Sequence, residues 1–178
     1  MLICGFFGVG TLPNKAYSFY LDLMAKPSVF RRLLNLWPPF LFSGISVESV
    51  SDDYRQIVVK LSARFFNRNH FGVHFGGSIY AMTDPFFVFM ILHNLDGRYF
   101  VWDKAGTIEY VKPGKGHVTA VMSIDDKDLE EIVEKCANGE KFEPSFTTAV
   151  KDANGETVAR LIKTIYIKLK PKYRSESD

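Results

Sequence analysis

The 178-residue sequence has few cysteines, almost no excess charge and no long hydrophobic run. Its two cysteines, Cys4 and Cys136, show no metal-ligand spacing, so a reduced, cytoplasmic protein is expected. A net charge of +2 argues against a general nucleic-acid binder. The longest apolar run, residues 79–92, is shorter than the ~18–20 residues of a membrane span and contains Asp84 and Pro85, so no membrane span is expected.

The two ends of the sequence differ from its middle. The apolar start lacks the basic segment that opens a signal peptide, so we expect residues 1–13 to be a disordered extension without function. The end, residues 171–178, is a polar tail that is expected to fray. Between them, residues 14–170 have a length that suits a single domain.

Aromatic and aliphatic residues, by contrast, are abundant. The chain contains 16 Phe and is 47% hydrophobic, which is enough for a sizeable core and indicates a dense core, an apolar pocket or an interface. The stretch 77–94 is apolar on all sides and should form a buried helix, whereas six stretches alternate with period 2 and are joined mostly by short links. We therefore predict an α+β fold with an antiparallel sheet wrapped around one long central helix. The predicted helices span 14–25, 27–36, 77–94 and 125–138, and the predicted strands span 42–50, 55–66, 99–111 (bulged near Gly106), 117–124, 142–151 and 157–170.

The segment from Asn69 to Asp84 is the most informative part of the sequence. A loop rich in Asn, His and Gly runs into Gly76 and Gly77, where the absence of a Cβ lets the backbone pass close to a ligand. The first N–H groups of a helix have no intrahelical partner and suit an oxyanion or a polarised carbonyl oxygen. About two turns further on, the Asp84 carboxylate could act as base or nucleophile. This is the outline of an acyl-transfer or thioester-hydrolysis site.

The order of elements resembles the hotdog fold, and this segment resembles the motif of thioesterases of the phenylacetate-pathway type. That motif reads N-x-x-G-x-x-H-G-G with an Asp seven residues after the last Gly, and five residues stand in register with it: Asn69, Gly72, Gly76, Gly77 and Asp84. The pattern Gly-Gly-Ser-x-Tyr-Ala-Met-x-Asp-Pro, a Trp-Asp-Lys strand and an Asn-Gly hairpin resemble still more closely a family of uncharacterised bacterial hotdog proteins that are usually described as candidate thioesterases.

The resemblance, which covers residues 28–170, implies an acyl-CoA thioesterase that self-associates as a homodimer or homotetramer and needs no metal or redox cofactor. Its substrate would be acyl-CoA or an acyl-carrier thioester. The Gly77 amide would polarise the thioester carbonyl, Asp84 of the partner chain would activate water, and Asn69 would position the thioester. Four neighbouring residues are expected to contact the substrate: His74, Phe75, Gly76 and Ser78.

One departure from the motif is Phe75, which stands where the motif has His. His74 is shifted by one position, about 100° of rotation on a helix, and cannot simply replace it. The alternative function is therefore acyl-thioester binding without turnover, and a hydratase acting on enoyl thioesters, with His74 and Asp84 as a poor acid–base pair, is a third. His70 and His74 are four residues apart, but no third ligand is evident, so no metal site is expected.

Asp84 and Pro85 leave two further alternatives open. Proline removes one backbone hydrogen bond and should kink the helix. Either packing accommodates this kink, or the kink aims Asp84 at the pocket and frees the carbonyl of Ala81. Asp84 itself is either a base whose pKa is raised by burial or the partner in a structural hydrogen bond.

Overall fold

The computed structural model describes residues 26–174, which form seven strands, five α-helices and a short 3₁₀ turn. The predicted extension over residues 1–13, the predicted helix over residues 14–25 and the tail residues 175–178 lie outside this part. The helices are α1 (Pro27–Leu36), α2 (Pro38–Ser43), α3 (Gly76–Ala81), α4 (Phe86–Asn94) and α5 (Asp126–Cys136), and the 3₁₀ turn spans Pro171–Tyr173. The strands are β1 (Ile45–Val50), β2 (Gln56–Ser62), β3 (Tyr99–Tyr110), β4 (His117–Ser123), β5 (Lys141–Phe142), β6 (Ser145–Asp152) and β7 (Thr157–Leu169).

All strand pairs of the sheet are antiparallel. The strand order is β1-β2-β4-β6-β7-β3, and β5 pairs with β7 beside this path. The alternation predicts six of these strands, while β5 has two residues, too few to show a period. The sheet is open, so β1 and β3 are its edges and the outer side of β3 pairs with no strand of the described chain.

The core lies on one face of the sheet. Every second residue of β2, β4 and β7 is buried there, as the alternation predicts. Helix α4 is apolar on all sides and buries Phe86, Phe87 and Met90 among other residues. The surface helix α5 buries only one face, and its first turn is closed by a capping box between Asp125 and Asp128.

The first strand begins later than the sequence predicts. The predicted strand 42–50 starts at Ile45, because Phe42 and Ser43 complete helix α2 and Gly44 ends it in the left-handed conformation (φ +78°). A Cβ on Gly44 would lie 2.3 Å from Asn67 Nδ2, so this turn requires glycine for space as well as for its φ angle.

The long central helix predicted over residues 77–94 is two segments, α3 and α4. The break covers residues 82–85, since Pro85 has no N–H to donate and α4 begins directly after it. The predicted kink is therefore a complete interruption, and it places Asp84 at a turn instead of within a helix.

Candidate active site

The loop before the central helix is ordered by Asn69. Its Oδ1 accepts hydrogen bonds from the N–H groups of Phe71 (3.0 Å) and Val73 (3.3 Å), and its own N–H donates to the Val73 carbonyl at 2.8 Å. These contacts are those of an Asx turn, which a short amide side chain can make with its own backbone. Asn69 therefore fixes the loop that leads into the glycine pair, and the position predicted for it next to a thioester stays a prediction.

The glycine pair stands at the start of α3 with two aromatic rings beside it. Phe75 is the residue that precedes the helix, and its side chain is 59% exposed. A Cβ on Gly77 would lie 2.4 Å from Phe75 Cε1, and a Cβ on Gly76 would lie 2.8 Å from Tyr110 Oη. The N–H groups of both glycines donate no hydrogen bond within residues 26–174, because α3 begins at Gly76. The start of α3 thus combines closely packed aromatic rings with two backbone N–H groups that are available as hydrogen-bond donors.

Two of the predicted substrate contacts lie inside the protein. His74 is only 3% exposed, and Ser78 is also buried. Burial lowers the pKa of His74, so its ring is neutral at pH 7, and neither ring nitrogen makes a hydrogen bond in the described part of the chain. The His74 ring is therefore closed off from solvent, and the backbone N–H of His74 donates a hydrogen bond of 3.0 Å to the Gly114 carbonyl.

The turn at residues 82–85 presents Asp84 at the border of the core. The Ala81 carbonyl, which Pro85 would leave free, accepts a hydrogen bond from the Asp84 N–H at 3.2 Å. The alternative in which the kink frees the Ala81 carbonyl is therefore wrong, because this carbonyl accepts its hydrogen bond from the residue three positions later instead of four. The Asp84 side chain is 40% exposed and so is less buried than its apolar neighbours in the sequence suggest.

Asp84 is held by Lys163, a residue that the sequence analysis did not single out. Lys163 Nζ donates a hydrogen bond of 2.8 Å to Asp84 Oδ1 and lies 2.9 Å from Asp103 Oδ1. The Lys163 side chain is 1% exposed. No partner of Asp84 Oδ2 lies within the described residues, so this oxygen can accept a hydrogen bond from a bound molecule.

A β-bulge in the edge strand β3 builds the surroundings of this ion pair. The pairing of β3 with β7 shifts between Asp103 and Ala105, so the extra residue is Lys104. Before the bulge the odd-numbered Asp103 faces Lys163, and after it the even-numbered Gly106 faces helix α3. The bulge lies two residues before the predicted position near Gly106.

Gly106 leaves room for the phenol of Tyr80. A Cβ on Gly106 would lie 2.1 Å from Tyr80 Oη, and that oxygen lies 3.4 Å from Lys163 Nζ, with the ammonium 4.9 Å from the ring centroid. The ammonium group is thus surrounded by two carboxylates and an aromatic ring, which is the environment a buried cation requires.

The charges of this cluster shift two pKa values. Burial alone would lower the pKa of Lys163, but the hydrogen bond and charge of Asp84, followed by the charge of Asp103, raise it well above its ordinary value. The pKa of Asp103 is raised, chiefly by burial and also by the charge of Asp84, although the charge of Lys163 lowers it. Lys163 is therefore a permanent cation at physiological pH and not a candidate nucleophile.

The sequence does contain a signal for Lys163. It occupies an inward position in β7, between Leu161 and Ile165, where the alternation predicts an apolar residue. A lysine at such a position requires a partner, but the register that brings Asp84 and Asp103 to it cannot be derived from the alternation alone.

Two further findings concern residues 26–174 as a whole. Within them, no group of three or more His, Cys, Asp or Glu side chains is placed to hold a metal ion. None of the helices in this part combines the length and the apolar character that a membrane crossing requires.

The sequence was compared with family models and with curated proteins. A family model described as a domain of unknown function, DUF4442, matches residues 27–167. No curated protein matches the sequence.

Three solved structures illustrate the likeness. A protein of unknown function from Pseudomonas aeruginosa, described as a probable thioesterase, has a TM-score of 0.71 at 18% identity over 82% of this chain and 99% of that one. A thioesterase from Haemophilus influenzae has a TM-score of 0.60 at 12% identity, over 84% and 95% of the two chains. The PaaI protein of the E. coli phenylacetic acid degradation operon has a TM-score of 0.55 at 15% identity, over 78% and 89%. The predicted α+β hotdog fold is confirmed.

Proposed function

We propose that this chain, which belongs to the DUF4442 family and has a hotdog fold, hydrolyses an acyl thioester, with acyl-CoA or an acyl-carrier thioester as substrate. The observation that carries the proposal is the Asp84 carboxylate. It stands in the register of the motif, it is partly exposed at a helix break, and one of its oxygens is held by Lys163 while the other is free. A water molecule bound to the free oxygen would lose a proton to it.

The reaction needs one donor and one base. The Gly77 N–H would donate a hydrogen bond to the thioester carbonyl oxygen, and Asp84 would accept a proton as the water oxygen attacks the carbonyl carbon. The negative charge then rests on the former carbonyl oxygen, close to the free amides of Gly76 and Gly77. Collapse of this intermediate breaks the C–S bond, the thiolate takes up the proton, and a carboxylic acid and a thiol are released.

We propose that the site is completed by a second copy of the chain. Gly77 stands in the first turn of α3, and Asp84 follows seven positions later, in the turn beyond the end of that helix. A carbonyl held at the Gly77 amide would therefore lie at the opposite end of α3 from Asp84 of the same protomer. The proposed site therefore combines the Gly77 amide of one protomer with Asp84 of its partner, and the exposed rings of Phe71 and Phe75 beside the glycines are apolar surface suited to such an assembly.

We further propose that the reaction takes place in the cytoplasm. The buried free thiol of Cys136 agrees with a reducing compartment.

A hydrolysis screen over acyl-CoA chain lengths tests the proposal. Asp84→Asn keeps the size and polarity of the side chain but removes the base, so kcat should fall by about 10²-fold or more. Asp96→Asn is the matched control, because Asp96 is an exposed carboxylate beyond the end of α4 and should not affect turnover. Full activity of Asp84→Asn would remove Asp84 from the mechanism.

A second function, acyl-thioester binding without turnover, is favoured by one observation. Phe75 stands where the motif has His, and its exposed ring offers an apolar contact and no proton donor. Calorimetry with an acyl-CoA that is bound but released intact would select this function. In that case Phe75→His should introduce measurable hydrolysis, whereas hydrolysis by the wild type decides for the first function.

A further inference from the structure

We propose that Lys163 is a positioning residue of the hydrolytic site: it holds Asp84 by one oxygen, so that the other faces the attacking water. This inference rests on the proposed function. It extends that function to β7, to a residue outside the motif segment Asn69 to Asp84.

The geometry of the contact carries the inference. Lys163 Nζ is 2.8 Å from Asp84 Oδ1, and Asp84 lies in the turn between α3 and α4, where no regular helix fixes its side chain. A carboxylate on such a turn has several rotamers open to it. A hydrogen bond from a charged donor selects one of them and leaves the second oxygen directed away from the lysine.

Lys163 itself is held from three sides. Asp103 on the edge strand lies 2.9 Å from its Nζ, the Tyr80 phenol of α3 lies 3.4 Å away, and the lysine belongs to the inward-facing row of β7. Because only 1% of its side chain is exposed, the surrounding residues restrict its rotamers. The ammonium group is therefore a fixed reference point for Asp84 on a rigid strand, which is how precise sites are supported.

A purely structural role would be served better by another residue. Filling the same space with an apolar side chain of similar size, in place of a buried ion pair, is often neutral or stabilising. Lys163 lies between Leu161 and Ile165 in the row of buried positions, where such a residue would fit the alternation. Two carboxylates around one cation also leave a net negative charge, so the cluster keeps a carboxylate available as a base.

The test combines two substitutions of Lys163 with a matched lysine. Lys163→Met removes both the charge and the hydrogen bond, and Lys163→Gln keeps a donor for Asp84 Oδ1 without the charge. Lys112→Met is the control, since Lys112, in the connection after β3, also contacts two carboxylates, but these lie at the exposed β6–β7 hairpin. For each variant, kcat and KM are measured with the best acyl-CoA of the screen, and thermal melting verifies the fold.

We expect Lys163→Met to lower kcat by about 10²-fold with little change in KM, because the base is misplaced but substrate binding is not. Lys163→Gln should retain more of kcat, because it keeps a hydrogen-bond donor for Asp84 Oδ1. Lys112→Met should leave kcat unchanged. A structural role alone would not lower kcat independently of KM, and the conservative Lys163→Gln would not restore it.

The outcomes separate the inference from the proposed function. Hydrolysis that Asp84→Asn abolishes but both Lys163 variants leave at the wild-type kcat would overturn the inference alone. If Lys163→Met does not fold, Lys163→Gln decides by the same criteria. A wild-type protein that hydrolyses no thioester in the screen would contradict the proposed function and this inference together.

Discussion

Lys163 and Lys112 each contact two carboxylates, but they do so in different surroundings. Lys163 pairs with Asp84 and Asp103 and is 1% exposed. Lys112 pairs with Asp152 at 2.7 Å and with Glu156, and its side chain is 31% exposed. The pKa of both lysines is raised, for Lys163 against the effect of burial and for Lys112 chiefly by the hydrogen bonds that it donates to its two partners.

The difference shows that burial, and not the number of carboxylate partners, decides how much a lysine of this kind contributes to stability. At the hairpin, water competes for the ion pair and salt screens it, so Lys112 contributes little to stability. In the interior, removing one partner leaves the others charged without compensation. Burying Lys163 therefore costs desolvation free energy, and removing it destabilises the fold. This combination is typical of functional sites and not of surface ion pairs.

The largest expected effect is the loss of the buried cation. Lys163→Met should lower the free energy of unfolding by about 3 kcal/mol, at the low end of the range for a broken buried pair because Asp84 is partly exposed. Urea denaturation of wild type, Lys163→Met and Lys112→Met measures the difference. Equal losses in the two variants would contradict the distinction between the clusters.

The next effect concerns the space that Gly106 provides. Gly106→Ala should cost about 1–2 kcal/mol, because its Cβ would lie 2.1 Å from Tyr80 Oη and force the ring away from Lys163. The double variant Gly106→Ala with Tyr80→Phe should recover part of this loss, since it removes the nearest clashing atom. Thermal melting of the four proteins of this cycle measures the coupling, and strictly additive losses would refute the contact.

Two aspartates should respond to pH with opposite signs. The folded chain binds the proton of Asp103 more tightly than the unfolded chain does, because its pKa is raised from 3.8, so its contribution to stability is greatest below that pH and declines as the pH rises through the folded pKa. The pKa of Asp152 is lowered by its hydrogen bond from Lys112, so its contribution is present above 3.8 and is lost as the pH falls.

We therefore measure the free energy of unfolding of wild type, Asp103→Asn and Asp152→Asn by urea denaturation between about pH 3 and 7. The difference from wild type should change with pH in opposite directions for the two variants. Parallel pH dependences would show that Asp103 is not in a buried environment.

Salt should produce the smallest effect. Raising the ionic strength from ~0.1 to ~1 M shortens the Debye length from about 10 to 3 Å. The stability difference between wild type and Lys112→Met should then vanish, while the difference for Lys163→Met should largely persist because the Lys163 side chain is buried. Chemical denaturation by urea at both salt concentrations measures this.

The fold could be predicted from the sequence because burial imposes a period on each element. The alternation in β2, β4 and β7 and the uniformly apolar α4 are direct consequences of a sheet packed around a central helix. The boundary at Gly44 was missed because Phe42 fits a strand pattern as well as a helix end. The break at Pro85 was predicted only as a kink, since the sequence does not tell a bent helix from two separate ones.

The candidate site could be predicted only where it is local in sequence. The loop, the glycine pair and Asp84 lie within one segment, so their spacing carries information. Lys163 is 79 residues from Asp84, and its contact depends on how β7 packs against the turn at residues 82–85, which no spacing rule locates. An inward lysine in an apolar strand is the one available sign of this contact.

The extra residue at Lys104 also bears on how the length of β3 can vary in evolution. Because this residue is the unpaired one, a chain without it would keep Asp103 opposite Ile165 and Gly106 opposite Lys163, and would lose only the local bend of the edge strand. A residue removed or added elsewhere in the strand would instead turn every later side chain to the other face. Among homologous chains we therefore expect length differences within β3 to occur at Lys104, and other insertions and deletions to accumulate in the connections at residues 111–116 and 137–140.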